Sequence, residues 1–291
     1  MGDVLGELAL AVWRGVGRVL APGLSIVLER RTRRGKEDPA RRHERLGRPR
    51  LPRPDGPLVW VHAASVGETN SVLALIERLT AAGFAVLLTT GTVTSARIAA
   101  ERLPAGAFHQ YVPLDVAPFL DRFLDHWRPG LALFVESEIW PTTIDRVSRR
   151  AVPLVLVNAR MSEGSFARWR RLDGLPRALF GRFTAALAQA PADGERLAAL
   201  GVGAVAVTGN LKFDGAPLGH DPQALAALRR AIGERRTWLA ASTHPGEEAV
   251  AIEAHRAARA HMPDLLTVIA PRHPERGDAL SADFAELGLV V

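Results

Sequence analysis

Apolar positions along the chain fall into short blocks that repeat a strand, turn and helix rhythm from residue 57 onward. PLVWVHAAS (57–65) is an apolar run ending in small residues, and a helical pattern follows from about Ser71 to Ala82. AVLLTTGT (85–92) reads as the next strand, with a helix from about Ser95. YVPLD (111–115) is a short strand. LALFVESE (131–138) is another, before Pro141, a residue suited to the first turn of a helix. PLVLVNAR (153–160), AALAQA (185–190) and AVAVTGN (204–210) complete this set. Strands buried on both faces read as unbroken apolar runs, and their alternation with helices predicts an α/β fold on a doubly wound parallel sheet.

The rhythm pauses after Asn210, where Gly215, Pro217, Gly219 and Pro222 make a linker-like stretch. It then restarts with a helix about 221–233, the strand TWLAAST (237–243), a helix about 246–260, the strand LLTVIAPR (265–272) and a helix about 274–287. LGLVV (287–291) looks like the start of one more buried strand. An α/β sheet ordinarily has five or six strands, so the second lobe reads as incomplete. At the other end, residues 4–28 are apolar but broken by Glu7, Arg14, Arg18 and Pro22, short of the uninterrupted apolar stretch of a spanning helix. Positive charge follows this stretch, whereas a signal peptide carries it in front. The reading is an amphipathic, membrane-associated N-terminal helix with its basic run on the cytoplasmic side; the alternative is an ordinary helix packed on the domain. The expected organisation is a helix over 1–29, a first lobe over 30–214 and a partial second lobe over 215–291.

Composition adds three constraints. The 291 residues are 47% hydrophobic and 23% charged, which suits one large or two ordinary domains and excludes a disordered tail. Cysteine is absent, so disulfides, thiolate metal sites and cysteine nucleophiles are excluded. The net charge of +6 conceals two basic segments, 30–53 at +8 and 146–182 at +7, in an otherwise acidic chain. Such segments suit phosphates or anionic lipid heads, and their few aromatics argue against nucleic acid. Arginine supplies nearly all the positive charge; the lysines are Lys36 and Lys212, and the asparagines Asn70, Asn158 and Asn210, a bias that a GC-rich genome produces by itself.

Ligands of open α/β sheets sit outside the carboxyl ends of the strands. Those ends are small, polar and charged here, while the strand bodies are bland. Glu68, just after Gly67 at a helix start, is either a first-turn carboxylate stabilised by the helix dipole or a general base, with Gly67 letting substrate approach the backbone. Glu136 and Glu138 would share one face of an extended strand, for acid–base or charge-stabilising work or for salt bridges to arginine. Lys212, after a Gly-Asn turn, is either a cation near the crevice between the lobes or a solvated loop lysine. Ser242, Thr243 and His244 before Gly246 suit an anion-binding turn or ordinary helix capping. Arg272 would fork onto a phosphate or carboxylate. Ser65, Gly67, Asn158, Arg160 and Ser162 are candidates at the ends of first-lobe strands. No His-Glu-x-x-His, P-loop or Gly-x-Gly-x-x-Gly pattern occurs, so a zinc hydrolase, a P-loop ATPase and a typical dehydrogenase are disfavoured.

Seven segments, in order, resemble the bacterial 3-deoxy-D-manno-octulosonic acid (Kdo) transferase family of lipid A assembly: the Gly35-Lys36-Glu37 region, WVHAASVGE (60–68), FVESEIWP (134–141), LVNARMSEGSF (156–166), VTGNLKFD (207–214), ASTHPGEE (241–248) and APRHPER (270–276). The resemblance implies a GT-B glycosyltransferase fold of two Rossmann-like lobes, the first binding the acceptor and the second CMP-Kdo. It implies inverting transfer of Kdo from CMP-Kdo to the tetraacyldisaccharide bisphosphate lipid A precursor, lipid IV(A), in lipopolysaccharide biosynthesis at the cytoplasmic face of the inner membrane. It places the general base at Glu68, transition-state stabilisation at Glu138 and Lys212, and the first CMP-contacting pair at Pro271 and Arg272, beside the Ser242, Thr243 and His244 turn. The first-lobe candidates Ser65, Gly67, Asn158, Arg160 and Ser162 then fall on the acceptor side. No metal or cofactor is required, because CMP leaves readily. The family's later Gly-Glu-Leu and Asn-Pro-Leu-Glu segments, which there follow the APRHPER region in the second lobe, do not follow it here, so the expectation is a truncated or split chain of poor activity. The alternative is a non-catalytic, membrane-peripheral acceptor-binding remnant; a nucleotide-sugar epimerase-like enzyme is a more distant third.

Overall fold

The structure is a computed structural model that describes residues 2–215 and 220–290. The chain divides into two compact units, Met1–Ala216 and Pro217–Val291. The expected linker residues Pro217 and Gly219 lie outside the described residues. The first unit opens with α1 (Gly2–Leu20) and α2 (Leu24–Arg33). It continues with β1 (Leu58–His62), α3 (Val66–Ala81), β2 (Ala85–Thr90), α4 (Val93–Arg102), β3 (Ala107–Tyr111), α5 (Ala117–Trp127), β4 (Leu131–Val135) and α6 (Pro141–Ser148). Then come β5 (Leu154–Ala159), α7 (Glu163–Trp169), α8 (Leu175–Phe180), β6 (Ala185–Ala188), α9 (Pro191–Leu200) and β7 (Val205–Val207). The seven strands pair in parallel in the order β3-β2-β1-β4-β5-β6-β7.

The unbroken apolar runs have the expected cause: both faces of the sheet are covered. Along β1, Leu58 and Trp60 enter one core with Phe123, Trp127, Phe134 and Phe180, while Val59 and Val61 enter the other with Val72, Ile76 and Leu88. Proline stands in the first turn of α5, α6, α8 and α9, where its missing N–H costs nothing. Two expected boundaries move. Helix α3 begins at Val66 rather than about Ser71, because Ser65 caps it by accepting the Glu68 N–H. The third strand is 107–111 rather than 111–115; Pro113 has no N–H for a ladder.

Strand β3 is an edge, and the basic segment covers it. Glu44 accepts the Tyr111 N–H at 2.8 Å, and Arg41 donates to the His109 carbonyl at 2.9 Å. Arg45 is itself buried, bound to Glu37 at 2.9 Å. The turn to Gly47 has φ +70°, and a Cβ there would stand 1.8 Å from the Phe119 carbonyl oxygen, so only glycine fits. Much of the basic charge is therefore spent inside the unit: Arg146 and Arg150 pair with Asp121, and Arg14, Arg149 and Arg182 converge on the fully buried Asp145. Arg30, Arg34, Lys36, Arg48 and Arg50 are exposed, with no ion pair among the described residues.

Helix α1 packs on α5, α6 and α8. It comes close to α8 at Gly6, where a Cβ would lie 2.4 Å from the Gly174 carbonyl oxygen. Leu10 points into the core, whereas Val4, Leu8, Val12, Trp13, Val16 and Val19 are exposed. No helix among the described residues is long and apolar enough to cross a membrane.

The second unit contains α10 (Pro222–Ile232), β8 (Thr237–Thr243), α11 (Glu247–Arg259), β9 (Leu266–Pro271) and α12 (Gly277–Glu286), with β8 and β9 paired in parallel. The strand expected from Leu287 does not form: residues 287–290 are turn and irregular chain, and Val291 lies outside the described residues. A two-stranded sheet shields little. Ala251 and Ile252 are the buried apolar residues described here, while Leu239 and Val250 are 58% and 66% exposed.

Candidate active site

The carboxyl ends of β1, β4 and β5 lie side by side in the first unit. Glu68 occupies the third position of α3, three residues after the Ser65 cap, which is the spacing of a capping box. Its carboxylate accepts the Ser65 hydroxyl at 2.8 Å and the Ala64 N–H at 2.8 Å. Glu68 is nonetheless only 9% exposed, and burial pushes its pKa up against those two hydrogen bonds, with help from the charges of Glu138 and Glu136. The capping and acid–base readings of Glu68 are thus met by one geometry: the group is oriented as a cap and kept more basic than an ordinary carboxylate. Gly67 is exposed, and a Cβ there would meet nothing nearer than Ser65 Oγ at 4.0 Å, so the space above it is open.

Glu136 and Glu138 do not share a strand face as expected. Strand β4 ends at Val135, and Glu136 turns out of it with φ +56°, a left-handed conformation rare for this residue type. Each carboxylate has its own partner instead. Glu136 meets Lys212 Nζ at 3.3 Å. Glu138 Oε2 accepts Trp140 Nε1 at 2.6 Å and faces His62 Nε2 at 3.5 Å. Burial works against the Glu138 charge, but His62 and Trp140 together hold its pKa below the usual carboxylate value. Two nearby acids are therefore displaced in opposite directions, the pattern of separate acid–base roles.

Lys212 sits in the short 3-10 turn Leu211–Asp214, which Asn210 caps by accepting the Lys212 N–H. Asn158, at the end of β5 with φ +51° and 1% exposed, accepts the Leu211 N–H through Oδ1 at 3.0 Å. Gln189 links the two asparagines, donating to the Asn158 carbonyl and accepting from Asn210 Nδ2. Of the acceptor-side candidates, Ser65 and Asn158 thus orient Glu68 and the Lys212 turn. Ser162 caps α7, and the exposed Arg160 lies beside Glu136 through its backbone N–H. His62, Trp140, Gln189 and Asn210 were not among the sequence candidates; a histidine and a tryptophan inside WVHAASVGE and FVESEIWP were the available signal.

In the second unit, Ser242 (φ +59°) and Gly246 (φ +97°) turn the chain from β8 into α11. The turn is filled by its own carboxylates. Glu247 accepts the His244 N–H at 2.8 Å, while Glu248 accepts Thr243 Oγ1 at 2.9 Å and Arg276 Nη1 at 2.8 Å. Arg276 beside Glu248 holds that carboxyl down at about 2. Capping is the interaction formed, so an anion arriving here meets Glu247 in competition for the His244 N–H. The β9 end brings Arg272 beside Thr243 through the Arg272 N–H, its exposed guanidinium following Pro271, and the His244 and His273 rings stand 6.4 Å apart. No group of three or more metal-ligating His, Asp or Glu side chains occurs among the described residues.

A seven-stranded parallel sheet, with its acids and its lysine at the strand ends, and a second unit built on two parallel strands make this an α/β protein of Rossmann-like topology. The family described as 3-Deoxy-D-manno-octulosonic-acid transferase (kdotransferase) matches residues 40–215. The probable mitochondrial 3-deoxy-D-manno-octulosonic acid transferase of Arabidopsis thaliana is 32% identical, over 95% of this chain and 64% of its own length. The 3-deoxy-D-manno-octulosonic acid transferases of Rickettsia bellii and Bordetella pertussis are 34% and 36% identical, over 89% and 94% of this chain and 62% and 66% of theirs. The chain therefore belongs to the Kdo transferase family and spans somewhat under two thirds of the length of these relatives. Among solved structures, a glycosyltransferase from Rickettsia africae superposes with TM-score 0.56 at 11% identity, over 80% of this chain and 66% of that one. UDP-GlcNAc 2-epimerase from Neisseria meningitidis gives 0.54 at 13%, over 79% and 69%. At such identities the likeness is one of fold, α/β of the GT-B kind.

Proposed function

We propose that the chain supplies the acceptor-side catalytic centre of an inverting Kdo transferase that moves Kdo from CMP-Kdo to the tetraacyldisaccharide bisphosphate lipid A precursor, lipid IV(A). The observation that carries this reading is Glu68: a buried, oriented carboxylate of raised pKa, beside the Glu138 and Glu136–Lys212 groups at the carboxyl edge of the sheet. An inverting transfer requires one base to take the proton of the attacking sugar hydroxyl as the donor phosphate departs. Glu68, ionised, is that base, and its raised pKa strengthens it. Lys212 and Glu138 stabilise charge that develops at the sugar and the departing phosphate. In the second unit, Pro271 and Arg272 contact the CMP moiety, with Ser242, Thr243 and His244 on the neighbouring turn. The exposed apolar side of α1, with unpaired cations such as Arg30 and Arg34, holds the chain on an anionic lipid surface at the cytoplasmic face of the bacterial inner membrane.

The test is direct. Purified chain with CMP-Kdo and the tetraacyl acceptor should give an acceptor heavier by one Kdo, and Glu68→Ala should lower the rate by about 10²–10⁴-fold, the range for a general base. Acceptor binding without product would favour the acceptor-binding remnant instead. Full rate in Glu68→Ala would remove Glu68 as the base.

A further inference from the structure

His62 is the last residue of β1 and its side chain is 1% exposed. Its Nδ1 lies 3.2 Å from the Thr89 carbonyl and 3.0 Å from Thr89 Oγ1. The carbonyl can only accept from Nδ1, whereas the hydroxyl can also donate to it, so Thr89 anchors Nδ1 in either tautomer. Thr89 Oγ1 also receives Trp60 Nε1 at 2.8 Å, and the Phe134 ring stands edge-on to the imidazole with centroids 5.4 Å apart. The ring is thus held at Nδ1 by Thr89 and against Phe134. Its other nitrogen, Nε2, is buried without a hydrogen-bond partner and points at Glu138 Oε2, 3.5 Å away. Contacts of this kind are often long in the absence of substrate and shorten when it binds. Trp140 holds the same Oε2 from the exposed side, while Oε1 of Glu138 has no hydrogen-bond partner among the described residues.

We propose that His62 is a positioning residue that acts through Glu138: anchored at Nδ1 by Thr89, it donates from Nε2 to Glu138 Oε2 and, with Trp140, leaves Oε1 to meet the substrate. A buried imidazole with Nδ1 protonated and Nε2 bare would set a lone pair against a carboxylate. One shared proton on Nε2 removes that conflict and makes the contact a charge-assisted hydrogen bond. The charged groups around this pair are Glu68 on α3, Glu136 in the same turn as Glu138, and Lys212 on the 3-10 turn. Lys212 answers Glu136, which leaves His62 to answer Glu138. The consequence for transfer rests on the function proposed above; the His62–Glu138 contact itself does not.

Two measurements test it. In the ¹⁵N-labelled chain, imidazole ¹H–¹⁵N correlations, with His62 identified by its loss in His62→Gln, should show a protonated Nε2. Glu138→Gln should move the Nε2 resonance and leave Nδ1 in place. An Nε2 signal indifferent to Glu138→Gln overturns the proposal. In the transfer assay, His62→Gln keeps an amide N–H near the place of Nε2, whereas His62→Asn reaches only the Thr89 side. Turnover should stay near wild type in His62→Gln and fall about tenfold or more in His62→Asn at little-changed acceptor KM, the scale of one hydrogen bond to a charged group. The reverse order means that His62 serves only the Thr89 anchor and overturns the proposal. Absence of turnover in the wild-type chain would count against the proposed function alone, since the imidazole measurement still decides the His62 contact.

Discussion

At the scale of single residues, Glu68 shows how a structural and a chemical role fit one side chain. Burial raises its pKa, so its ionised form is less favourable in the folded chain than in the unfolded one. The folded state accordingly loses stability as pH rises through that pKa, and a neutral isostere escapes the loss. Glu68→Gln keeps an acceptor for the Ala64 N–H and should melt higher than wild type at pH 8, with the advantage vanishing below pH 4; equal melting at both pH values would sink the account. In the transfer assay, the acid limb of the wild-type rate profile should lie above an ordinary carboxylate, and Glu138→Gln, which removes a neighbouring negative charge, should move that limb to lower pH. Gly67 separates fold from site in another way. A methyl group there meets open space, so Gly67→Ala should stabilise by about 0.4–1 kcal/mol through the unfolded chain. The same methyl group should raise the acceptor KM if substrate approaches this backbone; unchanged KM would exclude such an approach. The Ser65–Glu68 relation was legible in sequence because a capping box is local. The His62–Glu138 relation was not, because their separation of about 76 residues closes only when β1 and β4 pair.

At the scale of elements, the buried strands were legible because a parallel sheet covered on both faces needs continuous apolar runs, whereas β3 was misplaced by following its apolar tail past Pro113. How much of the charge in the basic segments is paired within the unit was not legible either. In the second segment the acidic partners come from other elements: Asp121 on α5 serves Arg146 and Arg150, and Glu7 on α1 serves Arg182. Asp145 on α6 is the strongest of these ties. It is fully buried and binds Arg14 of α1 at 3.0 Å and Arg182 at 2.9 Å, whose side chains are only 20% and 15% exposed. Removing one member of a buried ionic cluster strands the others in poor solvent. Asp145→Ala should therefore cost about 3–5 kcal/mol in urea unfolding. It should also expose residues 2–20 to protease before the rest of the unit opens, since Arg14 is the ion pair from α1 to that carboxylate. A loss below about 1 kcal/mol, with α1 still protected, would mean that the Gly6 contact with Gly174 holds the helix without the charges.

At the scale of the whole chain, the arrangement of α1 links the anchoring chemistry to the proposed substrate. The inner side of the helix is committed to the first unit through Gly6, Leu10 and Arg14, and the outer side leaves Val4, Leu8, Val12, Trp13, Val16 and Val19 in solvent. An exposed row of this length is costly in water and suits the boundary between lipid heads and acyl chains, where an acceptor with acyl chains and phosphates also lies. Exposed Arg30 and Arg34 just beyond it add attraction to anionic heads, an attraction that salt screens while apolar insertion survives. The chain should therefore co-sediment with vesicles containing an anionic phospholipid, less strongly with neutral ones, and with partial loss in 0.5 M salt. Val12→Glu with Val16→Glu changes only exposed positions, so it should leave urea unfolding within about 0.5 kcal/mol of wild type while releasing the chain from both kinds of vesicle. A double variant that still binds anionic vesicles with wild-type strength at high salt would show that the outer side of α1 does not enter the lipid, and the docking surface would have to be sought elsewhere on the chain.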